Sequence, residues 1–489
     1  MPLVGCGLAR RARCDLLLRM LNLKFRPLKA LALAVFAVVV ALPLSALAQA
    51  GDDGVDLEKL RSALIPKREV GADVFLAENP TYDGRGVIMA VFDTGVDPAA
   101  LGLAVTTTGE RKVLDIIDGT GAGDVNTSKS VEVSEDGTLP GLTGLTLTLP
   151  DDLTNPSGEF RLGMKPAAEL FPAYVVRRLQ AQVSGKWAAE LASLKHAEER
   201  IDRAELDAAK AISPDDRDLA QRNLIALDHA KHALDATYAS SGPGLVYDCV
   251  VWHDGTDWQV IIDTNRNGDL GDDKQLRPYG VAGEYGVFDP YTNATYGVQV
   301  YEEGDLLSIV TMSGAHGTHV AAIAAAHYPD DPARNGVAPG AQVISINIGD
   351  VRVGGSAYGV GERRAVAAAA KYGVDVVNIS FGGSSIYQDG TDHFSEGFKM
   401  MVERYDILTI MSAGNEGPGL STVGTAGGEA DLMLGVGAHA SAEMSKVLYN
   451  AIEEAPDAAL QFSSRGPTKD GDIGVDIMGP GAAWASLSA

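Results

Sequence analysis

Four short runs in this chain are apolar without alternation: residues 86–92, 342–348, 374–381 and 407–411. A strand wetted on one face alternates, whereas a strand covered on both faces does not. Helical stretches lie between these runs, at residues 318–326, 362–372 and 393–404. Buried strands alternating with helices of about ten residues predict βαβ units. The expected class is therefore α/β, a doubly wound parallel sheet with helices on both faces. Sites in such sheets form where loops leave the carboxyl ends of strands. Asp93 and Asn415 each fall just past the end of an apolar run.

Residues 103–300 interrupt the pattern. Up to about residue 174 the segment is rich in Thr, Gly, Asp and Pro, and reads as strands and loops. Residues 175–239 are charged and alanine-rich, with Leu and Ala at three- and four-residue intervals. Ser213-Pro214-Asp215-Asp216 breaks them in two, with Ser213 placed to cap the second half, so a helical hairpin is predicted. The expected organisation is an N-terminal extension and first strand (49–102), an insertion (103–300), and the remainder of the interrupted domain (301–489).

The first 48 residues read as a signal peptide. Lys24, Arg26 and Lys29 precede the apolar run 30–42, and Ala46-Leu47-Ala48 supplies a cleavage site before Gln49. The run is too short for the roughly 20 residues of a membrane span. A secreted or periplasmic protein is expected, with no membrane association after cleavage. Removing the leader takes Cys6 and Cys14 with it and leaves Cys249, so no intrachain disulfide can form. The formal charge of −25 argues against nucleic acid and anionic membranes as partners. Neither charge nor cysteine content bears on the reaction or on an oligomeric state.

Three short motifs carry chemistry. Asp93-Thr94-Gly95 ends the first apolar run. An aspartic peptidase would need a second such motif, and none occurs. His316, between Gly314-Ala315 and Gly317-Thr318, is expected at a helix start, with one imidazole nitrogen open and the other available to a carboxylate. His319 is expected to turn into the core. In Ser412-Ala413-Gly414-Asn415 a glycine-rich turn would hold an amide able to donate to a developing oxyanion. Asp, then His, then Ser is one chain order of the triad that makes a hydroxyl nucleophilic.

Taken together, these motifs resemble the subtilisin-like serine peptidases. The resemblance assigns Asp93 and His316 to the triad and Asn415 to the oxyanion hole. It assigns Ser380, Phe381, Gly382 and Gly383 to the segment that borders the substrate and pairs with its backbone. Phe462-Ser463-Ser464-Arg465-Gly466-Pro467 and Met478-Gly479-Pro480-Gly481 match later elements of that family. The long separation of Asp93 from His316, Tyr82-Asp83-Gly84-Arg85-Gly86 and Asn335-Gly336-Val337-Ala338-Pro339-Gly340 point to the tripeptidyl-peptidase II branch. The substrate implied is a peptide or protein. Members that release tripeptides hold the free α-amino group with acidic side chains, where this chain has Ala357 and Gly383. Endopeptidase cleavage is expected instead.

No serine after Asn415 stands in the family's G-T-S setting; the serine is expected to lie beyond Ala489, and the chain by itself to be inactive. The competing reading is a non-catalytic peptide-binding protein. A nucleotide-binding protein is disfavoured because no glycine-rich phosphate loop follows the first strand. Asp263, Asn265, Asn267 and Asp269 have the opening spacing of a calcium loop, but Lys274 stands where the bidentate Glu belongs. The alternatives there are a calcium site and an Asx-rich turn. The peptidase chemistry itself requires no cofactor.

Overall fold

The computed structural model describes residues 64–181, 244–288, 294–357, 359–383, 391, 393–424, 433–449, 451–453, 455–469 and 471–485. One sheet of eight strands organises the interrupted domain. Its strands are β1 (Ile88–Asp93), β2 (Val113–Asp118), β3 (Gln342–Asn347), β4 (Val376–Ile379), β5 (Leu408–Ser412), β6 (Leu434–Ala440), β7 (Ala458–Ala459) and β8 (Ile477–Pro480). They lie in the order β7-β6-β5-β4-β1-β3-β2, with β8 against β6. Every pairing is parallel except that of β6 with β7. From β1 the chain winds first toward β2 and β3, then back through β4 to β6. The winding reverses at β1, and a doubly wound sheet opens its binding crevice at such a reversal.

The non-alternating runs are covered on both sides, as their composition requires. Ala90 and Phe92 of β1 pack with Ala365, Val366 and Ala369 of helix α2 (Gly359–Tyr372) and Phe398 and Met401 of α3 (His393–Tyr405). Val91, pointing the other way, packs with Ala321, Ala322 and Ala325 of α1 (His316–Ala325). The small residues of α1 let it lie close against the sheet. Closest is Gly317, where a Cβ would fall 2.5 Å from the Gly95 carbonyl oxygen. Any side chain there would push the helix away from β1.

Two boundaries differ from expectation. Val113–Asp118, inside the predicted insertion, is the edge strand β2 of the main sheet. Its aspartates hid it, because an acid in an apolar run reads as loop. Here Asp115 is buried and accepts hydrogen bonds from the Ile116 N–H (2.8 Å), Gln299 Nε2 (2.6 Å) and the Tyr372 hydroxyl. Conversely, Leu306–Val310 belongs with the insertion, pairing antiparallel with Thr295–Tyr301 and Asp124–Asn126. A second antiparallel sheet joins Lys129–Glu132, Glu159–Pro166, Val246–His253 and Trp258–Ile262. The insertion has its own apolar core, in which Tyr247, Cys249, Phe288, Tyr296 and Val298 are buried together.

Of the predicted hairpin, residues 175–181 are helical, in a helix that begins at 173, and the rest lies outside the described residues, as does the leader. Among the described residues no helix is long and apolar enough to cross a membrane. The strand predicted at 374–381 is shorter, ending at Ile379.

Candidate active site

Asp93 is the last residue of β1, and its side chain is fully buried. His316 is the first residue of α1, and its side chain is 56% exposed. The two meet across 223 positions of sequence: His316 Nδ1 lies 2.8 Å from Asp93 Oδ1 and 2.9 Å from Oδ2. The Thr94 N–H also donates to Oδ1, at 2.7 Å. This carboxylate raises the imidazole pKa above its ordinary value, chiefly through the hydrogen bond and against the opposing effect of partial burial. With Nδ1 committed to the acid, the exposed side of the ring presents Nε2. A base that is oriented at one nitrogen and open at the other can accept a proton from a hydroxyl.

His319 departs from expectation. It is half-buried rather than in the core, and its Nε2 accepts the Ala485 N–H at 3.1 Å. The reason lies in α1 itself: the core-facing stripe is filled by Ala321, Ala322 and Ala325, leaving no room for an imidazole.

Asn415 stands just past β5, two strands from β1 on the same sheet edge, and is exposed. Its backbone N–H donates to Glu416 Oε2 at 2.8 Å, and the same carboxylate oxygen accepts the Ser464 hydroxyl at 3.0 Å. Gly414 makes the turn with φ of 112°, where a Cβ would sit 2.5 Å from Glu416 Oε2. Ser380, Phe381, Gly382 and Gly383 leave β4 between these two points without joining a strand, and Ser380 Oγ accepts from Asn378 Nδ2 at 3.0 Å. Their backbone therefore lies outside the sheet's own ladder, beside the end of β1.

Among the described residues no serine is hydrogen-bonded to His316. Ser463 accepts the Ala438 N–H, Ser464 engages Glu416, and Ser441 caps the helix Ala442–Leu448 and donates to Glu69.

The loop opened by Asp263 spends its polar groups on itself. Asp263 accepts the N–H groups of Asn267 and Gly268, both at 3.1 Å, while the side chains of Asn265 and Asn267 donate to Asp272. Asp269 Oδ1 accepts the Gly271 N–H at 3.0 Å. Among the described residues no three acidic, His or Cys side chains gather as a metal would need. Asp273 is the exposed weakness of this loop in energetic terms: one oxygen serves Thr264, and the other is buried without a partner. Burial, helped by Asp263 and Asp272, pushes its pKa up to about 7. The folded state thus prefers the protonated acid, and that stability, complete below the ordinary carboxyl pKa, is lost as pH rises through about 7. Asp273→Asn is expected to stabilise the protein by about 2 kcal/mol near pH 8 and by little near pH 3.5. Thermal melts at the two pH values check this.

Sequence reasoning also missed Thr94, Ser345 and Asn347. Ser345 Oγ accepts the Val96 N–H (2.8 Å), and Thr94 Oγ1 donates to the Gly314 carbonyl and accepts the Gly317 N–H, both at 2.9 Å. The signal was present: Ser345 and Asn347 are polar side chains in a strand whose other residues after Gln342 are apolar.

Comparison with known proteins agrees with this geometry. The family model described as "Subtilase family" matches residues 84–489. Tripeptidyl-peptidase 2 of Oryza sativa subsp. japonica is 41% identical over 440 residues, covering 87% of this chain and 32% of that protein. Tripeptidyl-peptidase 2 of Caenorhabditis elegans is 37% identical over 437 residues, 88% of this chain and 31% of that protein. The crystal structure of tripeptidyl peptidase 2 superposes with a TM-score of 0.60 at 28% identity, covering 83% of this chain and 31% of the other. The chain thus spans about a third of the length of the curated relatives it matches. With an Asp-His pair at the reversal point of a doubly wound sheet and a family match over most of its length, the chain belongs to the subtilase family of serine peptidases.

Proposed function

We propose that this chain supplies the acid-base pair and the oxyanion donor of a serine endopeptidase. Asp93 holds the imidazole, and His316 takes the proton of a serine hydroxyl and returns it to the leaving amine. Asn415 donates to the oxyanion, while Ser380 to Gly383 pair with an extended peptide or protein substrate. The observation that carries this reading is the 2.8 Å contact between a fully buried carboxylate and a histidine whose other nitrogen is open. Among the described residues no serine is hydrogen-bonded to His316, and fluorophosphonate should label a polypeptide in which the whole triad is assembled. If such a polypeptide failed to label, the competing reading, a peptide-binding protein without catalysis, would stand.

Cleavage within chains, rather than release of tripeptides, rests on Ala357 and Gly383. Neither residue itself offers a carboxylate to an ammonium group, and an unpaired charge is costly to desolvate. The names of the relatives count on the other side. Peptides with free and acetylated N-termini are expected to be cut at rates within a few-fold of one another. A strong requirement for the free amine would reject the endopeptidase assignment. No cofactor takes part, and the 263–273 loop is an Asx-rich turn. The protein is secreted or periplasmic, so sequencing its mature N-terminus should begin at Gln49; a retained leader would count against export.

A further inference from the structure

We propose that Asn347 is a positioning residue for His316, its carboxamide pinning the segment that delivers the histidine to Asp93. Its importance for catalysis rests on the peptidase reading above. The geometric claim does not.

His316 is reached from the insertion strand Leu306–Val310 through residues 311–315, which form no regular element. A backbone without its own ladder must be held by side chains if the imidazole is to stay within hydrogen-bond reach of a carboxylate. Asn347 does this with both ends of its amide. Nδ2 donates to the Thr311 carbonyl at 3.2 Å, and Oδ1 accepts the Ser313 hydroxyl, also at 3.2 Å. The amide is itself fixed: Oδ1 accepts the Gly349 N–H at 3.1 Å, and the Asn347 carbonyl accepts the Gly119 N–H at 2.9 Å. The residue is only 5% exposed and ends β3 directly beside Asp93 in the parallel register. One side chain therefore references the histidine's approach to the strand that carries its acid.

The chemistry is specific to an amide. One end must donate to a carbonyl and the other accept from a hydroxyl; a carboxylate cannot do the first, and an aliphatic group can do neither. Thr94 holds the segment one step later, at Gly314 and Gly317, and the Ser313 N–H donates to the Thr94 carbonyl at 2.8 Å. These bonds leave Thr311 to Asn347 and to its own hydroxyl, which donates to the Leu170 carbonyl at 2.6 Å.

The test is the titration of His316, followed by NMR in the histidine-labelled full chain, with His316→Gln identifying its signal. Asp93 raises the His316 pKa, and the other charged group coupled to the ring is His319 one turn along. Asn347→Ala is expected to lower the His316 pKa by about one unit as the contact with Asp93 loosens. A folded Asn347→Ala protein whose His316 titrates as in the wild type overturns the proposal. Should that variant not fold, Ser313→Ala decides: it removes one of the two ties, and a smaller shift in the same direction supports the role, whereas no shift overturns it. Because turnover is not measured, failure of the peptidase reading would show separately, as absent fluorophosphonate labelling of a polypeptide bearing the whole triad.

Discussion

Asp93→Asn is expected to lower kcat by about 10⁴ in a polypeptide carrying the whole triad, with KM nearly unchanged. The carboxylate accepts from Nδ1 with both oxygens at 2.8 and 2.9 Å, which places the open lone pair of neutral imidazole on Nε2. An amide in its place can turn its NH₂ to the ring, stabilising the other tautomer and leaving Nε2 protonated, where it cannot act as a base. The pH dependence should move as well. Asp93 raises the His316 pKa, so the wild-type rate should rise with pH through a value above 6.5, and the inflection should fall in the variant. The same pair contributes stability that is complete below the unfolded imidazole pKa and is lost as pH climbs through the raised folded one. The variant should lose that contribution on the acid side. Steady-state hydrolysis across pH reads the rate and its inflection, thermal melts across pH read the stability, and a loss of kcat below tenfold would reject the role given to Asp93.

Asn415→Ala should cost about 10²–10³ in kcat, again with little change in KM, because an oxyanion donor acts on charge that exists only in the transition state. The turn is built to keep the backbone in place when the side chain is cut. The Asn415 N–H stays on Glu416, Glu416 stays on Ser464, and Gly414 allows the positive φ that brings them together. A stable Asn415→Ala protein with slowed acylation by fluorophosphonate is therefore the expected result. Equal labelling rates in variant and wild type would remove Asn415 from the site.

Much of this molecule was legible in its residues, for reasons that can be named. Strands buried on both faces are mostly apolar without alternation, so β1, β3, β4 and β5 stood out even though Ser345, Asn347, Asn378 and Thr409 lie within them. His316 was conspicuous because Gly317 is needed where α1 touches Gly95. Where polar groups are buried in pairs, reading residues singly failed. Asp115 concealed β2, since nothing local shows that Gln299 and Tyr372 will satisfy it. At Asp263, likewise, nothing local shows that its oxygens accept backbone N–H groups of their own loop.

Local composition and spacing thus determined the fold class, the order of Asp93, His316 and Asn415 along the chain, and the kind of chemistry they can perform. Tertiary structure alone decided that β1 and α1 meet at the reversal of the sheet, that Asn347 stands beside Asp93, and that a strand of the insertion leads into the histidine. The division has a physical cause. Burial is set by each residue's own side chain, whereas a hydrogen bond between groups more than two hundred positions apart exists only once the whole sheet has fixed both partners in space. Were Asp93 and His316 found apart in solution, the reading of this sheet edge as a peptidase site would fail with them.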